Sequence, residues 1–260
     1  MRSALCAYSF REALKAKTAT YADLIRWAVD WDLDGVDLTV YWFPSTDPGF
    51  LLPLRALAYR SGVPIYSISI RTNMCRPTAE QRAAEVTEVR KWVDVASMLG
   101  AGHIRVFGGD VPKTSTEKEA SGWVVETLKR ASDYGASKGV ILGLENHGGI
   151  TSKADTILEI VNAVNSPWVG VNLDTGNFRT QVYEQVEQLA PYAVNVQLKV
   201  DLTEDGEKKP ADWNRVFTIL ARNGYKGFVA IEHESKDDPT VSLPKLSKKL
   251  RGLVRKYSEG

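Results

Sequence analysis

The chain has 260 residues, and its 33 Lys and Arg against 32 Asp and Glu leave a formal charge of +1, so no long-range field draws it to nucleic acid or another polyanion. Its two cysteines, Cys6 and Cys75, cannot form a disulfide framework and lack metal-type spacing, which is compatible with a reducing compartment, the cytoplasm. The apolar runs are strand-sized, far short of the roughly 20 residues that span a bilayer, and the start MRSALCAYSF has no secretion-signal pattern, so a soluble protein without membrane contact is expected.

From the N-terminus, short apolar or β-branched runs alternate with longer amphipathic stretches. The strand candidates are SALCAYS (3–9), GVDLTV (35–40), PIYSISI (64–70), HIRVFG (103–108), VILGLE (140–145), VGVNLD (169–174), AVNVQLKV (193–200) and FVAIEHE (228–234). Each is followed by a helix-like stretch, near Tyr21–Trp31, Phe50–Arg60, Ala79–Leu99, Thr116–Lys138, Ala154–Asn165, Tyr183–Ala190, Asp212–Asn223 and Leu243–Tyr257. Glycine stands at several helix exits, as in LGAG (99–102) and KGV (138–140). The basic tail KLSKKLRGLVRKY (245–257) has apolar residues at helical spacing and reads as a solvated last helix. An open doubly wound sheet is disfavoured because YSFREALKAK (8–17), after the first strand, contains no glycine for a phosphate loop. Eight βα units in a chain of this length predict one α/β domain over residues 1–260, a (β/α)8 TIM barrel whose active face is the C-terminal end of the strands.

At those ends the later strands deliver Glu145, Asp174, Gln197 and Glu232, four oxygen donors from four strands. Adjacent strand ends lie about 5 Å apart, and period two gives Asn195, Gln197 and Lys199 one face, Asn172 and Asp174 another. Any single acid could cap a helix or pair with a neighbouring loop. Three carboxylates packed together would repel, and a divalent cation resolves that repulsion. An oxygen-rich shell suits manganese first, with magnesium or cobalt as alternatives.

LENHGG (144–149), LDTGNF (173–178), the Q-x-K of 197–199 and IEHE (231–234) follow one another in order and spacing along the chain. In these motifs the sequence resembles the xylose-isomerase-like TIM barrels of the sugar phosphate isomerase/epimerase type, over essentially its whole length. The resemblance implies one divalent metal held by Glu145, Asp174, Gln197 and Glu232, with Gln197 standing where the family more commonly has histidine. It also implies that Glu145 and Glu232 act as catalytic base and acid on a small carbohydrate, for isomerisation or epimerisation by proton abstraction next to a carbonyl. A lyase, dehydratase or keto-glycoside-cleaving, would share the metal site and first step. Family members often form dimers or tetramers, which leaves room for a homo-oligomer.

Around this set, His147 and Asn177 are candidate substrate contacts, and Lys199 is placed to neutralise a developing enediolate. Arg71 and Arg105 could bind sugar oxygens or a phosphate. Against these stand a loop histidine, an N-cap asparagine, a surface lysine and arginines paired with buried acids. Tyr8, Tyr41 and Trp42 could stack on sugar C–H faces, or pack in the core. Glu234 shares the parity of Glu232 and competes with it as the strand-eight ligand. His103 and His233 read as structural. A DNA-repair endonuclease on this barrel needs a histidine-built metal cluster, which three histidines do not supply. The remaining reading is a non-catalytic sugar-binding barrel.

Overall fold

The computed structural model describes residues 1–258. Ten strands occur in chain order: β1 (Arg2–Cys6), β2 (Gly35–Thr39), β3 (Ile65–Ser69), β4 (His103–Val106), β5 (Ile141–Glu145), β6 (Val169–Asp174), β7 (Ala193–Lys199), β8 (Asp201–Glu204), β9 (Glu207–Pro210) and β10 (Phe228–Glu232). Eight of them close a parallel barrel in the order β1-β2-β3-β4-β5-β6-β7-β10, with β10 pairing back onto β1, while β8 and β9 form a separate antiparallel hairpin. The fold is a (β/α)8 TIM barrel, with helices α1 (Arg11–Ala16), α2 (Tyr21–Asp30), α3 (Pro48–Arg60), α4 (Ala79–Leu99), α5 (Glu117–Lys138), α6 (Ala154–Val164), α7 (Val182–Leu189), α8 (Trp213–Arg222) and α9 (Pro239–Ser258). Among the described residues no helix is long and apolar enough to cross a membrane.

Helix boundaries follow from local chemistry. Thr20, Thr78 and Thr116 begin α2, α4 and α5 with capping boxes, each threonine accepting from the backbone three residues on while that residue's side chain reaches back. Gly100 and Gly139 end α4 and α5 in the left-handed region, where glycine carries no Cβ penalty. The first strand is shorter than its apolar run, because after Cys6 the chain turns into a 3-10 segment, Ala7–Phe10, and then α1.

Alternation along each strand divides the core in two. Leu5, Leu38, Ile68, Ile104, Leu142, Leu173, Leu198 and Ile231 are fully buried and belong to the large apolar layer between sheet and helices. The opposite parity fills much of the inside of the barrel with polar groups, beside a small apolar patch of Ala4, Cys6 and Ala230. Tyr66 donates to Asn195 Oδ1 (3.0 Å), Asn195 Nδ2 to Asn172 Oδ1 (2.8 Å), and Asn172 Nδ2 to Gln197 Oε1 (2.8 Å). Gln197 Nε2 then donates to Asp37 Oδ2 (3.2 Å), which also accepts from Ser69. This relay crosses the barrel from β3 through β7 and β6 to β2, satisfying groups that would be costly to bury unpaired. It forms the floor beneath the C-terminal mouth.

Candidate active site

Four strands end on charged side chains at that mouth, with Glu145 on β5, Asp174 on β6, Lys199 on β7 and Glu232 on β10, and β4 adds Arg105 from within its span. Asn146 fixes the rim by clamping the backbone of Asp174, accepting from its N–H and donating to its carbonyl, both at 2.8 Å. Gly176 follows in the turn. A Cβ there would stand 2.7 Å from Lys199 Cγ, so glycine is what lets the lysine stem pass.

Two ion pairs organise the charges. Arg105 Nε lies 2.8 Å from Glu145 Oε2, and both side chains are about 95% buried, at 5% and 4% exposure. The same guanidinium donates to the Tyr41 hydroxyl (2.9 Å) and the Ile70 carbonyl (3.0 Å), and sits 4.0 Å from the Phe107 ring centroid. Asn177 Nδ2 donates to the other Glu145 oxygen at 3.1 Å. Across the mouth, Lys199 Nζ is 2.7 Å from Glu232 Oε1, 2.5 Å from Glu234 Oε2 and 3.3 Å from Asp174 Oδ2. The Cys6 thiol donates to Glu232 Oε2 at 3.6 Å.

These surroundings pull the carboxylates apart in acidity. Burial pushes Glu232 up, but the Lys199 ammonium more than offsets it and holds the acid below its ordinary range. Glu145 is raised well above its ordinary value by burial, against the opposing pull of Arg105 and with added repulsion from Asp174 and Glu232. Burial likewise lifts Asp174 to about 7, with Lys199 opposing and Glu232 reinforcing. Lys199 itself is held firmly protonated: burial disfavours its charge, and Asp174, Glu232 and Glu234 together outweigh that. His147 is lowered by burial and by the cations Arg105 and Lys199.

A cavity of about 210 Å³ opens between the two ion pairs. Of the residues expected from sequence, Arg71, Arg105, Glu145, His147, Asn177, Lys199 and Glu232 line it, as do Tyr8, Tyr41 and Glu234, whereas Asp174 and Gln197 do not. His147 packs against Phe107 with ring centroids 4.0 Å apart, and Arg71 lies over Tyr41 at 4.5 Å. His103 sits inside the barrel with Nδ1 2.8 Å from Ser67 Oγ, and His233 faces Asp237, both away from the cavity. Sequence reasoning passed over Asp37 and Cys6, which touch the site from β2 and β1 and sit inside apolar runs. Their parity with the inward faces was the available signal.

The expected metal was tested against these donors. Gln197 accepts from Asn172 with its carbonyl oxygen and aims its amide nitrogen at Asp37, so its one ligating atom is already engaged in the interior relay. One oxygen of Glu145 faces Arg105 and the other Asn177; those of Glu232 face Lys199 and Cys6. Among the described residues, no three His, Cys, Asp or Glu side chains are grouped to hold a metal ion. The residues as arranged do not fit a divalent ion, because the Lys199 ammonium already stands among the acids that would bind it.

A family model described as xylose isomerase-like TIM barrel matches residues 25–256. The chain belongs to this family. Among solved structures, the IolI protein with a bound zinc atom is similar over 99% of both chains, with 16% identity and a TM-score of 0.81. D-psicose 3-epimerase from Clostridium cellulolyticum H10, solved with D-tagatose, also covers 99% of both chains, at 16% identity and a TM-score of 0.77. The probable 3-DHS dehydratase AsbF of Bacillus anthracis, involved in petrobactin synthesis, shares 15% identity over 96% of this chain and 99% of its own, with a TM-score of 0.75. At such identities the likeness to these three is a likeness of fold. No curated protein sequence matches the chain.

Proposed function

We propose that this xylose isomerase-like barrel is an enzyme that moves a proton at the carbon next to a carbonyl of a small carbohydrate, as an isomerase or epimerase. The observation that carries the reading is the pair of buried carboxylates, Glu145 and Glu232, facing one polar cavity from strands separated by β6 and β7, each held by its own cation. Paired acids whose surroundings drive their acidities in opposite directions are how one site runs base and acid chemistry together.

In this reading the substrate carbonyl oxygen accepts from Lys199 or Arg105. Their fixed positive charges lower the cost of the enediolate that forms as the neighbouring C–H is broken. Glu232, kept ionised by Lys199, takes the proton; Glu145, whose hold on a proton burial strengthens, returns one from the other side, giving the inverted centre. Arg71, His147 and Asn177 orient hydroxyls, and Tyr8 and Tyr41 offer faces for the C–H surface of the sugar. A manganese, magnesium or cobalt ion has no fitted donor set here, and no step depends on one.

The test is solvent exchange in D2O with D-psicose, D-tagatose and D-fructose, followed by proton NMR. The wild-type protein should incorporate deuterium at the carbon next to the carbonyl. Glu145→Gln and Glu232→Gln should each slow incorporation by about 10²–10⁴-fold, the usual contribution of a general acid or base. Loss of water or of an aglycone from the sugar would identify the lyase outcome of the same first step. Sugar binding by wild type without any exchange would leave a binding protein and end the enzymatic reading.

A further inference from the structure

A second cavity, also about 210 Å³, adjoins the first and shares with it a wall made of Asn177, Lys199, Glu232 and Glu234. Its outer side is the β8–β9 hairpin together with Arg179. The hairpin is tied down at both ends. Near its tip Asp205 N donates to the Arg179 carbonyl (2.8 Å) and Glu204 accepts from Val182 N (2.9 Å), while at its root Asp201 accepts from Ser235 Oγ (2.7 Å). The second cavity is thus a preformed compartment with Glu232 and Lys199 in the partition.

Each compartment alone is smaller than the roughly 300–1,000 Å³ of an ordinary small-molecule site, and the two together fall within that range. A reacting carbon held beside Glu232 and Lys199 therefore has room for a ring on one side and a substituent on the other. The second lining carries Arg179, Lys199 and Lys208 against Asp201, Glu232 and Glu234, a balance of charge that gives an incoming dianion no net attraction. The same mixture of fixed donors and acceptors, with the Thr203 hydroxyl, suits a neutral polyhydroxylated group.

Resting on the function proposed above, we infer that the substrate is a two-part sugar. A keto-sugar ring occupies the cavity beside Tyr8 and Tyr41, and a neutral glycosyl unit attached to it lies under the hairpin. Recognition of the second unit falls to Arg179, Thr203 and Lys208, none of which touches the first cavity.

The test compares dissociation constants of D-fructose with those of turanose, lactulose and isomaltulose, which are fructose carrying a glycosyl unit at three different positions, and with fructose 6-phosphate. At least one glycosyl-fructose should bind tenfold or more tightly than D-fructose. That ratio should fall to about one in Thr203→Trp, which fills the hairpin compartment, and at least threefold in Arg179→Ala, which leaves the backbone alone. Circular dichroism confirms the fold of both. A ratio near one in wild type, a ratio unmoved by both variants, or fructose 6-phosphate binding more tightly than every disaccharide would overturn the inference. D-fructose that exchanges its proton while no disaccharide gains affinity would sink this inference alone. Absence of exchange with every sugar, disaccharides included, would sink the functional reading instead.

Discussion

Lys199 is the residue on which the chemistry of the site turns. Its ammonium is about 93% buried, at 7% exposure, and lies within 3.3 Å of three carboxylates, the position a divalent ion would need. A buried ion group of this kind is expensive to leave unbalanced, so removing one partner should be felt in both stability and rate. Lys199→Met keeps the stem and deletes the charge. It should slow deuterium exchange by about 10²–10³-fold, in line with the loss of one preorganised donor to a developing oxyanion. Prolonged chelation of the wild-type protein should leave exchange within twofold of its starting rate. Stoichiometric Mn2+ in the wild type by electron paramagnetic resonance, with exchange lost on chelation and restored by the ion, would show that Lys199 yields its place to metal.

Among the elements, β5 shows how closely the polar interior is fitted. Gly143 faces inward between β4 and β6, and a Cβ there would stand 2.3 Å from His103 Nε2 and 3.1 Å from Asn172 Cβ. Gly143→Ala should cost about 1–3 kcal/mol in urea unfolding, as overpacking does. In the background of His103→Ala the cost should shrink by at least half; equal costs in the two backgrounds would remove the steric explanation. Much at this scale was legible in the chain. The α4 span is the one read from the sequence, with its exit glycine, and period two placed Asn195, Gln197 and Lys199 on one face. What period two cannot give is who meets whom across a closed barrel, so Gln197 groups with the carboxylates by sequence while its amide reaches Asp37, three strand positions around the ring. The β8–β9 hairpin escaped because its strands, DLTE and EKKP, lack an apolar alternation. Its signal was the Asp205-Gly206 pair, whose positive φ values of 52° and 85° make the tight turn.

For the whole molecule, an interior built from titratable groups makes stability a function of pH, and the contributions oppose one another. His103 is buried with a pKa pushed down from 6.5 to about 3, because burial penalises its cation and Arg105 adds repulsion. Below pH 6.5 the unfolded chain takes up a proton that the folded one refuses, so this residue withdraws stability as pH falls from about 6.5 toward 3. Asp174, raised to about 7, and Glu145, raised well above its ordinary value, act in the opposite sense. The folded state binds protons there before the unfolded state does, so they add stability as pH falls from the raised values toward about 4, the range of a free carboxylate. The wild-type curve alone would therefore mix the two signs. His103→Gln stays neutral throughout and leaves the acid cluster in place, so the difference between the two proteins isolates the imidazole. Measured by denaturant unfolding, wild type should lose stability relative to His103→Gln by about 1.4 kcal/mol for each pH unit between roughly 6 and 4, the value for one proton. Parallel curves across that interval would mean that the folded barrel admits the imidazolium, and that the interior at Ser67 and His103 is wetter than its packing indicates.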